Sequence, residues 1–122
     1  MSGNDFCADT NFAIYHLSGH ACVQPYLDAD LAVSVVTQLE LLSKPDMLPA
    51  DVTAAELFLE TCDIIELTEP VKAGVIALRR QYRLKLPDAV VAATAQWLGL
   101  PLLTADKGFA RIVGLDIVLL DL

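Results

Sequence analysis

Residues 85–109 read KLPDAVVAATAQWLGLPLLTADKGF, and this stretch decides the fold. Pro87 and Asp88 begin a predicted helix, because proline fits the first turn of a helix and aspartate can cap free amides there. The next segment, Ala89–Leu98, is almost entirely apolar, which indicates a buried helix. A turn containing glycine and proline leads to a short apolar run, Leu102–Thr104, which predicts a buried strand. A second carboxylate, Asp106, follows the end of that strand.

The rest of the chain repeats this alternation of strands and helices. The predicted strands are Asp5–Ala8, Leu31–Val35, Asp63–Leu67, Leu102–Thr104 and Asp116–Leu120. The other predicted helices are Asn11–Leu17, Ala21–Leu27, Gln38–Ser43 capped by Thr37, Asp51–Cys62, Glu69–Tyr82 and Phe109–Val113. Such alternation favours right-handed crossovers and a parallel sheet. We therefore expect one α/β domain over residues 1–122, with a mostly parallel five-stranded sheet and helices on both faces.

The composition agrees with a sheet that is covered on both faces. Of the 122 residues, 55% are hydrophobic, as expected where strands are continuous apolar runs. No uninterrupted apolar run is long enough to span a membrane, and the first residues lack the features of a signal peptide, so we expect a cytoplasmic protein. Three widely spaced cysteines, Cys7, Cys22 and Cys62, fit neither a metal motif nor a disulfide framework and are interpreted as core residues.

The net charge of −8 restricts the ligands that the surface can attract. It argues against an extended basic surface for duplex DNA. It remains compatible with nucleic-acid binding through cations and a local basic patch.

Four acids map to one edge of the predicted sheet. Asp9 and Asp106 each follow an apolar strand, Asp88 begins a helix, and Glu40 lies one turn into the helix after a strand. The carboxyl ends of parallel strands are where ligands bind in open α/β sheets. Carboxylates gathered there repel one another unless they are protonated or neutralised by a cation. Their hard oxygen atoms suit Mg²⁺ or Mn²⁺, which indicates a metal site able to act on a phosphodiester.

Each acid also has a simpler interpretation that stays open at this point. Asp88 and Asp106 could be helix caps, Asp9 could form an Asx turn, and Glu40 could be a solvated helix residue. The shared position of all four at strand ends and helix starts is the stronger signal.

Four segments carry a resemblance to a known family. They are ADTNFAIYHL around Asp9, SVVTQLELLS around Glu40, KLPDAVVAATA around Asp88 and LPLLTADKGFARI around Asp106. In their order and spacing along nearly the whole chain they resemble the PIN-domain ribonucleases, most of all the VapC-type toxins of toxin–antitoxin pairs. Many members carry a further acid two positions after the last one, where this chain has Gly108. That departure bears on a second metal site more than on activity.

The resemblance implies a Mg²⁺- or Mn²⁺-dependent endoribonuclease acting on structured RNA, such as transfer or ribosomal RNA, and leaving 5′-phosphate and 3′-hydroxyl ends. The family's catalytic and metal-binding acids carry over to Asp9, Glu40, Asp88 and Asp106. Its polar helpers, which would orient the carboxylates through hydrogen bonds, carry over to Asn11 and Thr104. The resemblance also implies a small antitoxin partner and a homodimer.

A basic group immediately precedes Asp88 and consists of Arg79, Arg80, Arg83 and Lys85. It is either a solvated helix face or a contact for the RNA backbone or for an acidic antitoxin tail.

Histidine and aromatic side chains are assigned mainly to packing. The helical phase of Trp97 and Tyr82 favours the core over base stacking, and His16 is interpreted as a surface or packing residue. Metal binding by His16 and His20 is the lesser alternative, and the role of Tyr15 stays open.

Two other classes of protein are alternatives to the nuclease. A phosphoryl-transfer domain of haloacid-dehalogenase type would need a second aspartate where Asn11 stands, and a receiver-type domain would need an acidic pair before its phosphorylated aspartate. A catalytically weak PIN-like module that only binds RNA or a protein partner is favoured by the net charge of −8 and by Gly108. Binding of a divalent ion would separate the nuclease from the binding module.

Overall fold

The structure is a computed structural model that describes residues 3–122. Within these residues, five strands alternate with helices. In order, the elements are β1 (Phe6–Ala8), α1 (Thr10–Leu17), a 3₁₀ helix (Ala21–Tyr26), β2 (Leu31–Ser34), α2 (Val35–Leu42), α3 (Pro49–Glu60), β3 (Asp63–Ile65), α4 (Glu69–Gln81), α5 (Leu86–Leu98), β4 (Leu102–Thr104), a second 3₁₀ helix (Lys107–Arg111) and β5 (Ile117–Leu119).

The five strands form one sheet in the order β3-β2-β1-β4-β5, with β1 at its centre. All four neighbouring pairs are parallel. In the register of the sheet, Ala8 at the end of β1 pairs with Val33 of β2 on one side and Leu103 of β4 on the other. The predicted five-stranded parallel sheet is therefore confirmed, and the carboxyl ends of its three middle strands lie side by side.

Adjacent residues of the strands point into two separate cores, as the period of two in a strand requires. Cys7 and Leu102 pack with α4 and α5 on one face, together with Phe109. The next residues along the two strands, Ala8 and Leu103, pack on the other face among side chains of α1 and α3. Helices therefore cover both faces, as expected.

The boundaries of α5 show why residues 85–109 position the site. Lys85 is the N-cap residue and makes no capping bond with its side chain, so Asp88 lies in the first turn rather than at the cap. Gly99 ends the helix in the left-handed conformation, with φ of 68°. Glycine adopts that conformation without steric strain, which agrees with its predicted role as the helix stop.

Several local predictions were wrong. The helix α2 begins at Val35, three residues earlier than predicted, because the Ser34 side chain caps it by accepting from the Val36 N–H. Thr37 is therefore the third residue of the helix rather than its cap, and β2 ends at Ser34 rather than Val35. The segments predicted as helices after residues 20 and 108 are 3₁₀ helices. Trp97 was predicted to lie in the core but is 49% exposed, whereas Tyr82 packs against the core beside α4 and α5.

The three cysteines are free thiols, with Cys7 and Cys22 buried and Cys62 partly so. Among residues 3–122, no helix has the length and apolar character needed to cross a membrane.

Candidate active site

Asp9 lies at the centre of the site because it directly follows the central strand β1. Its side chain is 6% exposed and caps α1, with the Phe12 N–H donating to Oδ1 over 2.9 Å. Its carboxyl group also forms a side-chain hydrogen bond with Thr104, the last residue of β4. Burial raises the pKa of Asp9, and the two hydrogen bonds oppose that shift, while the negative charges of Asp106 and Asp88 add to it.

Thr104 connects two of the predicted acids. Its hydroxyl oxygen accepts a hydrogen bond of 2.9 Å from the backbone N–H of Asp106. Because the same side chain also bonds the Asp9 carboxyl, the hydroxyl donates to Asp9 and accepts from Asp106. These contacts place the Thr104 hydroxyl between the two acids, and its orienting role stays a prediction.

Asp106 is exposed and begins the second 3₁₀ helix, where its Oδ1 accepts from the Gly108 N–H over 2.7 Å. The alternative interpretation of Asp106 as a helix cap is therefore correct for part of its role. A Cβ atom at residue 108 would lie 2.9 Å from that oxygen, which is closer than real Cβ atoms approach other atoms. The glycine at this position is thus matched to the observed orientation of Asp106.

Asp88 extends from the first turn of α5 toward the other acids and is partly buried. Burial is the largest cause that raises its pKa, followed by the negative charge of Asp106. Lys85 opposes the shift, and Glu40 adds a smaller increase. Asp88 thus interacts electrostatically with each of the other three acids, Asp9, Asp106 and Glu40.

Glu40 is exposed on α2, and its Oε1 accepts a hydrogen bond of 2.6 Å from the Thr10 hydroxyl. Thr10 in turn lies 3.1 Å, oxygen to oxygen, from the hydroxyl of Thr37, which is fully buried. Neither threonine is among the site residues predicted from the sequence. The signal that could have located them is their spacing, because Thr10 follows Asp9 directly and Thr37 precedes Glu40 by three residues on one helix face.

Three of the acids line one open depression of about 450 Å³. Its lining residues are Asp9, Thr10, Asn11, Ile14, Glu40, Ser43, Lys44, Pro45, Asp88 and Val91. Asn11 is exposed at this depression. Asp106 instead lines an adjoining recess of about 170 Å³, and Asp88 lies between the two because it lines both.

The adjoining recess is basic as well as acidic. Arg83, Lys85 and Arg111 line it together with Asp88 and Asp106. Arg111 fixes its shape, since Nη2 donates to the Arg83 carbonyl over 2.8 Å and Nε to the Gly108 carbonyl over 3.2 Å. Arg111 is not among the residues predicted from the sequence, because the Arg83 carbonyl that it binds lies 28 residues away along the chain.

The predicted basic group is exposed at one side of the site. Arg79, Arg83 and Lys85 border a further surface depression of about 470 Å³. Arg79 also donates from Nε to the Leu84 carbonyl over 3.3 Å. Arg80 is exposed on α4, the helix that also carries Arg79. The group therefore offers cations beside Asp88, and this position is compatible with both interpretations of it.

The histidines lie outside the acidic depression. The ring of His16 packs at 4.8 Å from that of Phe58, which agrees with the packing interpretation. His20 accepts a hydrogen bond from the Cys22 N–H, and the Tyr15 ring contacts it at 5.1 Å. A larger depression of about 570 Å³ is lined by residues including His16 and Phe58, and none of the four acids borders it.

The donor chemistry fits a hard divalent cation, although the acids do not converge fully. Within residues 3–122, no group of three or more His, Cys, Asp or Glu side chains is placed close enough together to hold a metal ion. Mg²⁺ commonly uses one or two carboxylates and completes its shell with water and substrate oxygens. The negative charge of Asp88 contributes to the raised pKa of Asp9, and a cation between the two carboxylates would relieve that repulsion.

These features define an α/β domain with an acidic site at the carboxyl edge of a parallel sheet. Comparison with protein-family models gives the family: residues 6–115 match the PIN domain. The chain therefore belongs to the PIN domain family, whose members are generally nucleases. A search of curated proteins gave no match.

Solved structures give the same fold. A chain of a toxin–antitoxin complex from Klebsiella pneumoniae is 32% identical, with a TM-score of 0.81, and the match covers 93% of this chain and 96% of that one. A chain of VapBC2 from Rickettsia felis, bound to a DNA fragment from its promoter, is 21% identical, with a TM-score of 0.84 and coverage of 95% and 98%. A chain of DNA-bound VapBC from Salmonella typhimurium is 19% identical, with a TM-score of 0.84 and coverage of 94% and 97%.

Proposed function

We propose that this chain is a VapC-type toxin, a Mg²⁺- or Mn²⁺-dependent endoribonuclease that hydrolyses phosphodiester bonds in structured RNA. The observation that carries the proposal is the electrostatic connection of four acids at the carboxyl edge of the sheet. Such an arrangement is costly for folding alone, because burial and mutual repulsion both oppose ionisation of Asp9 and Asp88. It is useful where a cation and a phosphate must be held together.

The four acids would divide the work according to their positions. Asp9, Asp88 and Asp106 would hold the cation, directly or through water, because their charges act on one another. Glu40 would orient the attacking water or act as a further ligand, since it borders the same depression as Asp9 and Asp88. When bound, the cation supplies positive charge that activates water and stabilises the phosphate in the transition state.

The reaction would be the hydrolysis of a phosphodiester bond by one water molecule. The oxygen of water bonds to phosphorus, the bond from phosphorus to the 3′ oxygen breaks, and that oxygen leaves with a proton. The products are a 5′-phosphate and a 3′-hydroxyl. Thr104 would keep Asp9 oriented through its hydrogen bond, and Asn11 would contribute a polar group at the mouth of the depression.

The basic group would guide the RNA backbone to the acids. Arg79, Arg83 and Lys85 border a depression next to the site, and Arg83 and Lys85 also line the recess that contains Asp88 and Asp106. Local cations of this kind can attract a phosphate backbone even on a chain whose net charge is −8.

A small antitoxin and a second copy of the chain are part of the proposal. Several similar structures are described as toxin–antitoxin or VapBC complexes. The chain also exposes large apolar side chains on its helices, among them Leu17, Leu39 and Leu57. Exposed apolar surface marks sites of protein association where it is contiguous.

A second candidate is a PIN-like module that binds RNA or a protein partner with little catalysis. Two observations favour it: the acids of residues 3–122 do not form a compact group of three metal ligands, and Gly108 stands where many family members have another acid.

Cleavage of total RNA by the purified protein separates the two candidates. We expect discrete fragments with Mg²⁺ or Mn²⁺, and no fragments with EDTA or with the Asp9→Asn variant. Asp116→Asn is the matched control, because Asp116 is exposed and precedes β5 at the opposite edge of the sheet. Failure of folded, antitoxin-free protein to cleave any RNA would favour the binding module. Cleavage that survives both EDTA and Asp9→Asn would overturn the acidic site.

A further inference from the structure

Two threonine hydroxyls form a chain that ends on Glu40. Thr10 is the first residue of α1, and Thr37 is the third residue of α2. The Thr10 Oγ1 atom lies 3.1 Å from Oγ1 of Thr37 and 2.6 Å from Oε1 of Glu40. The chain therefore links a fully buried hydroxyl to an exposed carboxylate through a residue on the neighbouring helix.

The direction of the hydrogen bonds follows from the chemistry of the groups. An ionised carboxylate only accepts, so the single hydroxyl hydrogen of Thr10 is donated to Glu40. Thr10 can then only accept from Thr37, whose own hydrogen is donated to it. A buried hydroxyl without a partner is costly, so the Thr37 hydroxyl favours the rotamer of Thr10 that accepts from it. In that rotamer Thr10 donates its own hydrogen to Glu40.

Glu40 needs such a partner if its carboxylate is to have a fixed position. It is a long, exposed side chain, and a side chain of that kind otherwise distributes over several rotamers. Thr37 and Glu40 are three residues apart on α2 and share a face, while Thr10 follows Asp9 directly in the chain. The two hydroxyls therefore tie the Glu40 carboxylate to the segment that carries Asp9.

We propose that Thr10 and Thr37 are positioning residues that hold the Glu40 carboxylate over the acidic depression. The catalytic consequence rests on the proposed nuclease function, whereas the coupling of the three side chains does not. A merely structural role, in which the hydroxyls stabilise the contact between α1 and α2, predicts a loss of stability without a specific loss of turnover.

The kinetic test uses variants that remove or preserve the hydroxyls. Thr10→Val and Thr37→Val keep the side-chain shape, and Thr10→Ser restores a hydroxyl at the first position. Thr94→Val is the matched control, because Thr94 is also fully buried in a helix but donates to the carbonyl of Val90 over 2.7 Å. Each variant is compared with the wild-type protein for kcat, KM and Mn²⁺ affinity measured by calorimetry.

We expect Thr10→Val to lower kcat about 10- to 100-fold, as for other residues that orient a ligand, with a smaller change in KM. Thr10→Ser should recover most of the rate, and Thr37→Val should lower kcat in the same direction but less. Thr94→Val should leave both kcat and Mn²⁺ affinity at the wild-type values. A normal kcat in Thr10→Val, or equal losses in Thr10→Val and Thr94→Val, would overturn the proposal.

A thermodynamic test remains valid if the protein cleaves no RNA. The free energy of unfolding is measured for wild type, Thr10→Val, Glu40→Ala and the double variant in urea. If the hydroxyl bonds the carboxylate, the double variant is less destabilised than the sum of the single variants. Additive effects would overturn the coupling. Absence of cleavage together with non-additive effects would overturn the nuclease function and support the positioning contact.

Discussion

Thr104 accepts a hydrogen bond of 2.9 Å from the backbone N–H of Asp106 and forms a side-chain hydrogen bond with Asp9. One hydroxyl therefore sets the relative positions of an acid after the central strand and an acid after its neighbour. Thr104 is fully buried, so its rotamer is held by packing as well as by these bonds. The Thr104 hydroxyl thus links Asp9 and Asp106 directly, in addition to the bonds that each acid makes with its own helix.

Replacing Thr104 with valine should separate these two acids while keeping the shape of the side chain. We expect the free energy of unfolding to fall by about 1–3 kcal/mol, because buried partners lose a hydrogen bond. RNA cleavage should fall about 10- to 100-fold. Urea unfolding and initial rates measure the two effects. Thr104→Ser retains the hydroxyl and should stay near wild type, and an equally inactive serine variant would contradict this explanation.

Asp9 should make stability depend on pH in the absence of divalent ions. Its pKa is raised in the folded protein, chiefly by burial, so the native state binds the proton more tightly than the unfolded chain. This contribution to stability is present below the ordinary aspartate pKa and is lost as pH rises toward the raised value. Asp9→Asn should therefore lose less stability than wild type between acidic and neutral pH.

Urea unfolding in EDTA at several pH values measures this difference. Asparagine keeps an oxygen that can accept from the Phe12 N–H, so the cap of α1 is retained. Adding Mg²⁺ at neutral pH should stabilise wild type more than Asp9→Asn, since binding to the folded state alone shifts the equilibrium. Identical pH profiles for the two proteins would show that Asp9 does not titrate as described.

Gly108→Ala should disturb Asp106 without changing any charge. The new Cβ would lie 2.9 Å from Oδ1 of Asp106. The carboxylate must therefore rotate, and it loses the hydrogen bond that it accepts from the backbone N–H of residue 108. We expect stability to fall by about 1 kcal/mol, as for the loss of a cap, and Mn²⁺ affinity to fall. Calorimetry and urea unfolding measure these changes. Unchanged Mn²⁺ affinity would indicate that Asp106 is not a ligand.

Arg111→Lys tests whether geometry or charge is the contribution of this residue. Arginine bonds the carbonyls of Arg83 and Gly108 through two different nitrogens, and lysine cannot reproduce that planar pair of donors. We expect stability to fall by about 1 kcal/mol and RNA cleavage to fall several-fold. Arg111→Gln removes the charge as well. A normal lysine variant beside an inactive glutamine variant would assign the effect to charge.

The cysteines should differ strongly in their reaction with a disulfide reagent at pH 8. Burial, with a smaller contribution from the charge of Asp9, raises the pKa of the Cys7 thiol to about 12, and thiols react as thiolates. Cys62 is partly exposed and should react first. Cys62→Ser should remove the fast phase, leaving thiols that react mainly when the protein unfolds. A fast phase that persists in Cys62→Ser would contradict the burial of Cys7 and Cys22.

The parallel sheet could be predicted from the sequence because its strands are short apolar runs at regular spacing. The limits of α2 could not, since Val35 and Val36 favour a strand by propensity but lie in a helix that Ser34 caps. Trp97 has the helical phase of a core residue, yet it remains half exposed. Tertiary packing determines both the start of α2 and the exposure of Trp97, and the periodicity of the sequence does not reveal it.

The positions of three acids in the fold could be predicted because Asp9 and Asp106 follow strands and Asp88 lies in the first turn of a helix, whereas Glu40 lies further along α2. Their hydrogen-bond partners could not, because these come from distant parts of the chain. Glu40 is bonded by Thr10, thirty residues earlier, and Arg83 by Arg111, 28 residues later. Contacts of that kind depend on how helices pack across the sheet edge. The catalytic roles of the acids stay predictions until the variants are measured.

The central position of β1 has a consequence for the synthesis of the chain. Asp9 leaves the ribosome long before Thr104, although the two are neighbours in the finished sheet. Until β4 has been translated, β1 can pair only with β2, and the acidic depression has no Thr104 to orient Asp9. Before that point, the growing polypeptide contains Asp9 but lacks the residues of β4 that lie beside it in the folded site. The proposed site can therefore be completed only after residue 104 has been synthesised.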